Sequence, residues 1–589
     1  MPSARSHRKR RPATGNPGPP NPERGVPDRK VPSPRLRGEV ERKVSSPRLR
    51  GEVGGGPHRF SSLALGVAAV LITLLVFGRV AGNDFVLWDD TVEIYRNGYL
   101  NPPSWDHLVF LWTHPYLEQY VPFTDTAWSL LSNLGRLDAP SPGLTDSGAL
   151  LDPHVFHAAN LLLHLGSVLL AFFVLRRLTG AALPSAAGAL LFAVHPLQVE
   201  SVAWASELRG ILAGFLGLAA ILLYIDFTRT QGRMPYGLAL LAALLAMLSK
   251  PSAAALPLVL LVLDRFALGR DWRRAVLALA PFLALSIPFL VLAPLAQPVD
   301  PTVVTPLWQR PLVAADALAF YLQKLVLPVG LGIDYGRSPA AVLSAWWGWL
   351  SWLVPAAIAV AAWLLRRRLP WLLPAVLIPA LVLAPVLGLV PFAFQHYSTV
   401  ADRYAYLALL GPAFGVACGL RDLEVRARLL YPTTAVALAA LAALTFVQAG
   451  TWTDTQTLMR HAIEVNPRSD VAYNNLGIVL GQHGRLEEAK AVLLKSISLS
   501  RTQYQAHSNL GNVLFLQHHP DEAIAEYRTS IAINDRWDES HANLGNVLSS
   551  EGRWQEAIDE YRIALKLNPT STRNQSGYNR ALVGLQTGR

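Results

Sequence analysis

Two adjacent carboxylates, Asp89 and Asp90, stand in the segment DFVLWDDTVEI. Side by side and removed from water, they cannot both readily ionise, so unlike fates are expected. One is a candidate general base, and the other would position a reactant or a divalent cation, the one cofactor these residues suggest. The competing reading is a helix N-cap, since residues 91–95 could begin a helix. Three cations lie near the ends of apolar stretches: Arg403 in VADRYAYL, Lys250 in SKPS, and Arg209 in SELRGIL. Such residues can hold an anionic phosphate or snorkel to lipid head groups. His195 and Glu200 are five residues apart in FAVHPLQVE, and His157 and His164 are seven apart on one helical face, so that with Asp402 they are candidates to line a cavity. For the second histidine pair, an ordinary hydrogen-bonded interior position is at least as good a reading. No HExxH, P-loop or Gly-rich dinucleotide motif occurs.

The elements that must carry these residues are apolar. At 589 residues, 51% hydrophobic and 16% charged, the chain is too long for one domain and too apolar for an ordinary soluble protein. The formal charge of +11 is concentrated in residues 1–60, which hold 15 Lys and Arg against 5 Asp and Glu. That tail is rich in Pro, Gly and Arg, and it repeats SPRLRGEV at 33–40 and 46–53. The composition predicts a disordered basic tail and not a nucleic-acid binder. Cys418 is the single cysteine, which excludes an intrachain disulfide.

About 20 apolar residues are needed to span a bilayer. Eleven candidate spans follow: 61–82, 154–175, 181–197, 207–226, 235–249, 251–266, 275–293, 341–365, 370–391, 404–420 and 430–449. Together they make a membrane domain over 61–450. Basic residues favour cytoplasmic loops. With the tail inside, the Arg176–Arg177, Arg229/Arg233, 265–274, Arg366–Arg368 and 421–428 clusters all fall on that side. An odd number of spans then puts the C-terminus outside. Segment 312–328 is read as an interfacial or re-entrant helix, because the residues after it lack the positive charge of a cytoplasmic loop. The Ala/Arg/Leu-rich usage points to a bacterial inner membrane, with the C-terminal domain periplasmic.

From 452 to 589 the pattern changes. AYNNLG (472–477), AHSNLG (506–511) and SHANLG (540–545) recur every 34 residues, as do Glu488-Ala489, Glu522-Ala523 and Glu556-Ala557. This is the tetratricopeptide period, in which small residues let paired helices pack closely. A half repeat precedes three repeats at 470–503, 504–537 and 538–571, and 572–585 is a candidate cap. Asn475, Asn509 and Asn543 precede each Leu-Gly, with Asn512 and Asn546 just beyond. The series resembles the asparagine ladder of the soluble O-linked N-acetylglucosamine transferase family, in which amides grip the backbone of an extended acceptor. The alternative is a set of consensus residues on a solvated face.

Taken in order, DFVLWDDTVEI, YVPFT, FHAANLLLH, FAVHPLQVESVAWASELRGIL, SKPS, LGIDYG and VADRYAYL, followed by the repeats, resemble the transmembrane-and-tetratricopeptide-repeat family of protein O-mannosyltransferases and its bacterial relatives, over residues 61–585. Gln198 and Asp402 depart from the pattern, standing where the animal members typically have a second histidine and often glutamate. The resemblance implies an all-α fold, a polytopic membrane helical bundle of GT-C glycosyltransferase type followed by a tetratricopeptide-repeat α-solenoid. It also implies a polyprenyl-phosphate-linked sugar donor, mannose-like transfer at the outer membrane face, and a protein or peptide acceptor at the repeats. Within it, Asp89 or Asp90 would be the base, Arg403, Lys250 and Arg209 the donor-phosphate contacts, and Asn475, Asn509, Asn543, Asn512 and Asn546 the acceptor contacts. The competing function is a non-catalytic membrane scaffold that recruits proteins through the repeats. A transporter is disfavoured, because the spans show no internal duplication. A glycan or lipid acceptor stays open.

Overall fold

The computed structural model describes residues 62–138, 150–297, 304–423, 427–569 and 571–588. The basic tail expected at 1–60 lies outside them. The described residues form an all-α protein, a membrane helical bundle followed by a repeat solenoid, with isolated β-bridges at three places. The helices of the bundle are α1 (Ser62–Phe77), α2 (Trp105–Thr113), α3 (Pro122–Leu134), α4 (Pro153–Thr179), α5 (Ala182–Val194), α6 (Val199–Ala203), α7 (Leu208–Thr230), α8 (Arg233–Ser249), α9 (Leu256–Val262), α10 (Trp272–Ala296), α11 (Arg310–Val326), α12 (Pro339–Ser344), α13 (Leu353–Leu365), α14 (Leu372–Leu383), α15 (Leu410–Asp422) and α16 (Ala427–Ala449). The solenoid continues as α17 (Thr455–Val465), α18 (Asp470–Gln482), α19 (Leu486–Leu499), α20 (Tyr504–Leu516), α21 (Pro520–Ile533), α22 (Asp538–Ser550), α23 (Trp554–Leu567) and α24 (Thr572–Thr587).

Among the described residues, six helices are long and apolar enough to cross a membrane, seven if α5 and the following Pro196–Ala203 stretch, bent by 53°, form one span. The chain is a multi-pass membrane protein. Two shorter apolar helices, α8 and Leu372–Val386, accompany them. The expected spans at 251–266 and 404–420 are helical but change their hydrogen-bond pattern along their length. The first divides into a 3-10 turn (Pro251–Ala255), the seven-residue α9 and a π turn (Leu263–Ala267), while the second runs through 3-10 turns before α15 begins at Leu410. Both segments are largely covered by other helices. Leu256, Val259, Leu260, Ala405, Leu409 and Ala413 are all buried, and irregular backbone is tolerated at membrane depth where protein surrounds it. At 312–328 the chain forms the amphipathic α11, with Asp316 buried and held by Arg337 at 2.6 and 2.7 Å.

Helix limits follow local chemistry. Asp152 caps α4 by accepting from the His154 amide at 2.9 Å, and Gly180 ends it in the left-handed conformation (φ 74°) behind Arg176 and Arg177. In the solenoid, Asp454 and Ser469 cap α17 and α18. The Leu-Gly position brings paired helices together: a methyl group at Gly511 would stand 2.7 Å from the Tyr527 ring. Gly511→Ala is therefore expected to destabilise the repeats by about 1–3 kcal/mol through overpacking. The expected readout is faster proteolysis of the repeat region in the full-length protein, with the membrane helices still protected.

Candidate active site

The loop after α1 is pinned at its start and carries Asp89 and Asp90 to the N-terminal ends of α4 and α7. The Asp84 amide donates to the Thr453 carbonyl at 3.0 Å, and His157 Nε2 reaches the Asp84 carbonyl at 3.2 Å. Asp90 is completely buried. Its Oδ1 accepts from the amide (2.9 Å) and hydroxyl (2.5 Å) of Ser206, and its Oδ2 accepts from the Val86 amide (3.0 Å). Although Asp90 precedes the π turn Thr91–Tyr95, its side chain makes no capping bond there. Asp90 closes the loop, with both carboxylate oxygens taken up by the bonds from Ser206 and Val86. Burial pushes its carboxyl up to about 7 against the pull of those hydrogen bonds.

Asp89 is the accessible member of the pair. Its side chain keeps 35% of its exposure, and Oδ2 stands 3.3 Å from Arg209 Nη2. Burial raises its carboxyl above the ordinary carboxylate range, and Arg209 opposes the shift. The two adjacent carboxylates thus have different surroundings, one closed in by hydrogen bonds and one partly open beside Arg209.

Arg209 is the hub of the cluster. Nη1 donates to Glu93 at 2.6 Å and to Gln119 at 2.8 Å, and Nε lies 3.5 Å from Glu207. Glu207 also receives Lys250 Nζ at 2.9 Å and lies 3.7 Å from Arg403 Nε. Arg403 Nη1 reaches Glu200 at 2.5 Å, and the Arg403 amide donates to the same carboxylate at 3.2 Å. The Arg403 guanidinium lies over Phe394, Tyr404 and Trp204, 4.3, 5.0 and 5.3 Å from their ring centroids. Three cations and four carboxylates therefore form one connected network. Burial raises Glu93 to about 8, with Arg209 opposing. On α3, Asp125 is buried and raised to about 7 by the same cause.

A cavity opens from this network along α7, α9 and α14. Lys250, Arg403 and Tyr404 line it together with the apolar Ala213, Leu256 and Leu407. Gly210 sits where a methyl group would collide with the Glu207 carboxylate, so the Lys250–Glu207 pair can lie directly against α7.

Asp89, Arg209, Lys250, Arg403 and Glu200 come together. The other named residues serve elsewhere. His164 is held by the Tyr406 hydroxyl at 3.0 Å and the Ala193 carbonyl at 3.1 Å, as an interior histidine on α4. His195 accepts the Leu197 amide and contacts the Leu325 carbonyl, and His157 supports the acidic loop. Asp402 is buried against the Tyr335 hydroxyl at 2.7 Å. Glu93 and Glu207 were missed in the sequence, although three cations beside apolar spans require buried counter-charges. Among the described residues, no three His, Cys, Asp or Glu side chains are grouped to hold a metal ion.

The asparagines of the repeats have partners within the chain. Asn475 Nδ2 donates to the Leu87 carbonyl at 2.8 Å, Asn509 Nδ2 donates to Asn474, and Asn543 accepts from Arg573. Asn512 and Asn546 accept the hydroxyls of Tyr527 and Tyr561 at 2.7 and 2.6 Å.

Comparison with known proteins supports the repeats directly. The tetratricopeptide repeat family matches residues 538–571 and 458–491. Protein O-mannosyl-transferase Tmtc2 of Drosophila melanogaster is 38% identical over 102 residues, covering 17% of this chain and 11% of the relative. Protein O-mannosyl-transferase tmtc2 of Xenopus laevis is 28% identical over 166 residues, covering 27% of this chain and 18% of the relative. The matched segments thus span less than a fifth of either relative. Among solved structures, MamA matches at 23% identity with a TM-score of 0.21, covering 22% of this chain and 72% of that one. The first tetratricopeptide domain of Spaghetti (RPAP3) bound to an HSP90 peptide matches at 15% identity with a TM-score of 0.20, covering 20% and 95%.

Proposed function

We propose that this chain is an integral-membrane glycosyltransferase of the GT-C type. It moves a mannose-like sugar from a polyprenyl-phosphate carrier to hydroxyls of acceptor proteins on the outer membrane face. The observation that carries the reading is an apolar cavity into whose lining the ion-pair network contributes two cations: Lys250 and Arg403 line it together with Leu256 and Leu407. A lipid phosphate is anionic at one end and hydrocarbon along the rest, and the lining of this cavity offers both chemistries. The names of the relatives and the repeat matches support the sugar and the protein acceptor.

In this mechanism Asp89 takes the proton of an acceptor Ser or Thr hydroxyl as its oxygen attacks the anomeric carbon. The carbon–oxygen bond to phosphate breaks, and the leaving phosphate keeps the electron pair beside Lys250 and Arg403. Attack opposite the leaving group inverts the anomeric centre. Arg209 orients Asp89 and limits how far burial raises its carboxyl. The N-terminal tail is cytoplasmic and the repeats lie outside, in the periplasm of a bacterial cell, where they hold the acceptor.

A photoreactive polyprenyl phosphate, added to the protein in lipid nanodiscs, tests the donor site. Adducts are expected on residues 210–214, 252–256 and 403–407, and excess unlabelled polyprenyl phosphate should abolish them while GDP-mannose does not. Adducts confined to other helices, or competition by the nucleotide sugar, would contradict the donor assignment.

A further inference from the structure

The loop that carries Asp89 is gripped from the solenoid side by the first helices of the repeat array. Leu87 lies two residues before Asp89. Its amide donates to Thr455 Oγ1 at 2.9 Å, and its carbonyl accepts from Asn475 Nδ2 at 2.8 Å. Thr455 opens α17 and Asn475 lies on α18, so both backbone polar groups of one residue are held by successive helices of the array. The grip extends further. Asn475 Oδ1 accepts from Asn474 Nδ2 at 3.0 Å, and Asn474 Oδ1 accepts from Asn509 Nδ2 at 2.9 Å. Three amides in series, all donating in the same sense, therefore run from α20 of the second repeat to the acidic loop. Asn474 in the middle is only 5% exposed. Hydrogen bonds in such a chain polarise one another, and each buried amide that loses its partner carries a desolvation cost, so the three act as a unit.

We propose that Thr455 and the Asn509–Asn474–Asn475 relay are positioning residues for Asp89, so that the first repeat is an internal part of the catalytic site and acceptor-binding surface begins beyond it. The inference rests on the transferase reading above for its catalytic purpose. Every fixed point of the loop agrees with it. Asp84 is tied to Thr453 and His157, Val86 to Asp90, and Asp90 to Ser206, while the Asp89 carboxylate contacts Arg209 and stays partly open. A general base must hold its geometry closely, since a displacement of about 1 Å can cost roughly a hundredfold in rate. A loop held on the membrane side alone would leave Leu87 free to carry Asp89 away from Arg209.

Full-length protein in nanodiscs tests the relay with Asn475→Ala, Asn474→Ala, Thr455→Val and Thr455→Ser. Hydrogen exchange of the peptide over residues 84–92 is read first, then transfer kinetics. The expected result is exchange at Leu87 faster by roughly tenfold in Thr455→Val, the size of the one hydrogen bond its amide loses, and faster exchange in the same direction in Asn475→Ala, which frees the Leu87 carbonyl and loosens the loop. In the same two variants kcat should fall about ten- to a hundredfold at unchanged donor KM. Asn474→Ala, which touches neither Leu87 nor Asp89, should give a smaller change in the same direction, and Thr455→Ser should restore both readouts. Unchanged exchange in Asn475→Ala and Thr455→Val, or wild-type kcat in both, overturns the proposal. Exchange reads the clamp whether or not sugar is transferred. A wild-type chain that transfers nothing overturns the transferase reading and the catalytic purpose together, whereas transfer with unaffected variants overturns the relay alone.

Discussion

Asp89→Asn is expected to lower kcat by about 10²- to 10⁴-fold, the range by which a positioned general base accelerates proton transfer, with the fold and the donor KM intact. The amide has nearly the shape of the carboxylate and can still accept from Arg209 Nη2. Only the basicity is lost. Asp90→Asn should behave differently. Asp90 accepts three hydrogen bonds on two oxygens, and an amide nitrogen facing the Val86 amide would leave that buried donor unpaired, at a cost of about 1–3 kcal/mol in stability. Its activity loss should be partial and should come from a loosened loop. The pH profile separates the two further. A base must be deprotonated to act, and burial raises Asp89, so the rate should fall as pH drops through a value above the usual carboxylate range near 3.9. An acidic limb at or below about 4, or an Asp89→Asn variant with wild-type kcat, would remove Asp89 from the role.

The second large effect is expected at Arg403. Arg403→Ala leaves Glu200, itself 2% exposed, without its counter-charge in the interior. Breaking a buried pair from one side costs about 3–5 kcal/mol, which should appear as a clear drop in melting temperature in detergent and a low yield of folded protein. Arg403→Lys keeps the charge and should fold. It loses the planar contact over Phe394 and Tyr404 and the geometry that serves Glu200 and Glu207 together, so donor KM should rise by about tenfold or more with a smaller change in kcat. A stable Arg403→Ala variant with unchanged donor KM would show that the guanidinium is neither a structural partner nor a phosphate contact.

The repeats were legible in the sequence because their period is fixed by packing: Gly511 and Gly545 must be small where Tyr527 and Tyr561 cross them. The all-α class was equally legible from the apolar runs. The span count was not. Segments 251–266 and 404–420 have the composition of spans and are largely buried by neighbouring helices, and composition cannot distinguish such burial from burial by lipid. Of the site, Asp89, Arg209, Lys250 and Arg403 were readable as charges that an apolar setting makes costly. Glu93 and Glu207 escaped notice because each looks like a local neighbour of a residue already named, and their role appears only when Arg209 and Lys250 arrive from distant positions. The asparagines followed the repeat period, and their type suggested a ladder for an acceptor. Periodicity could not reveal that Asn475 is already occupied by the Leu87 carbonyl of the same chain.

The central claim is that the cluster around Asp89 transfers a sugar from a lipid phosphate. The most direct measurement is transfer by the purified full-length protein in nanodiscs from labelled polyprenyl-phosphate mannose to protein acceptors, with Asp89→Asn alongside and GDP-mannose as the alternative donor. Label is expected on acceptor Ser or Thr from the lipid-linked donor alone, and at a rate reduced at least about a hundredfold in the variant. Folded wild-type protein that transfers nothing across several lipid-linked sugars and acceptors, or equal transfer by Asp89→Asn, would contradict the account.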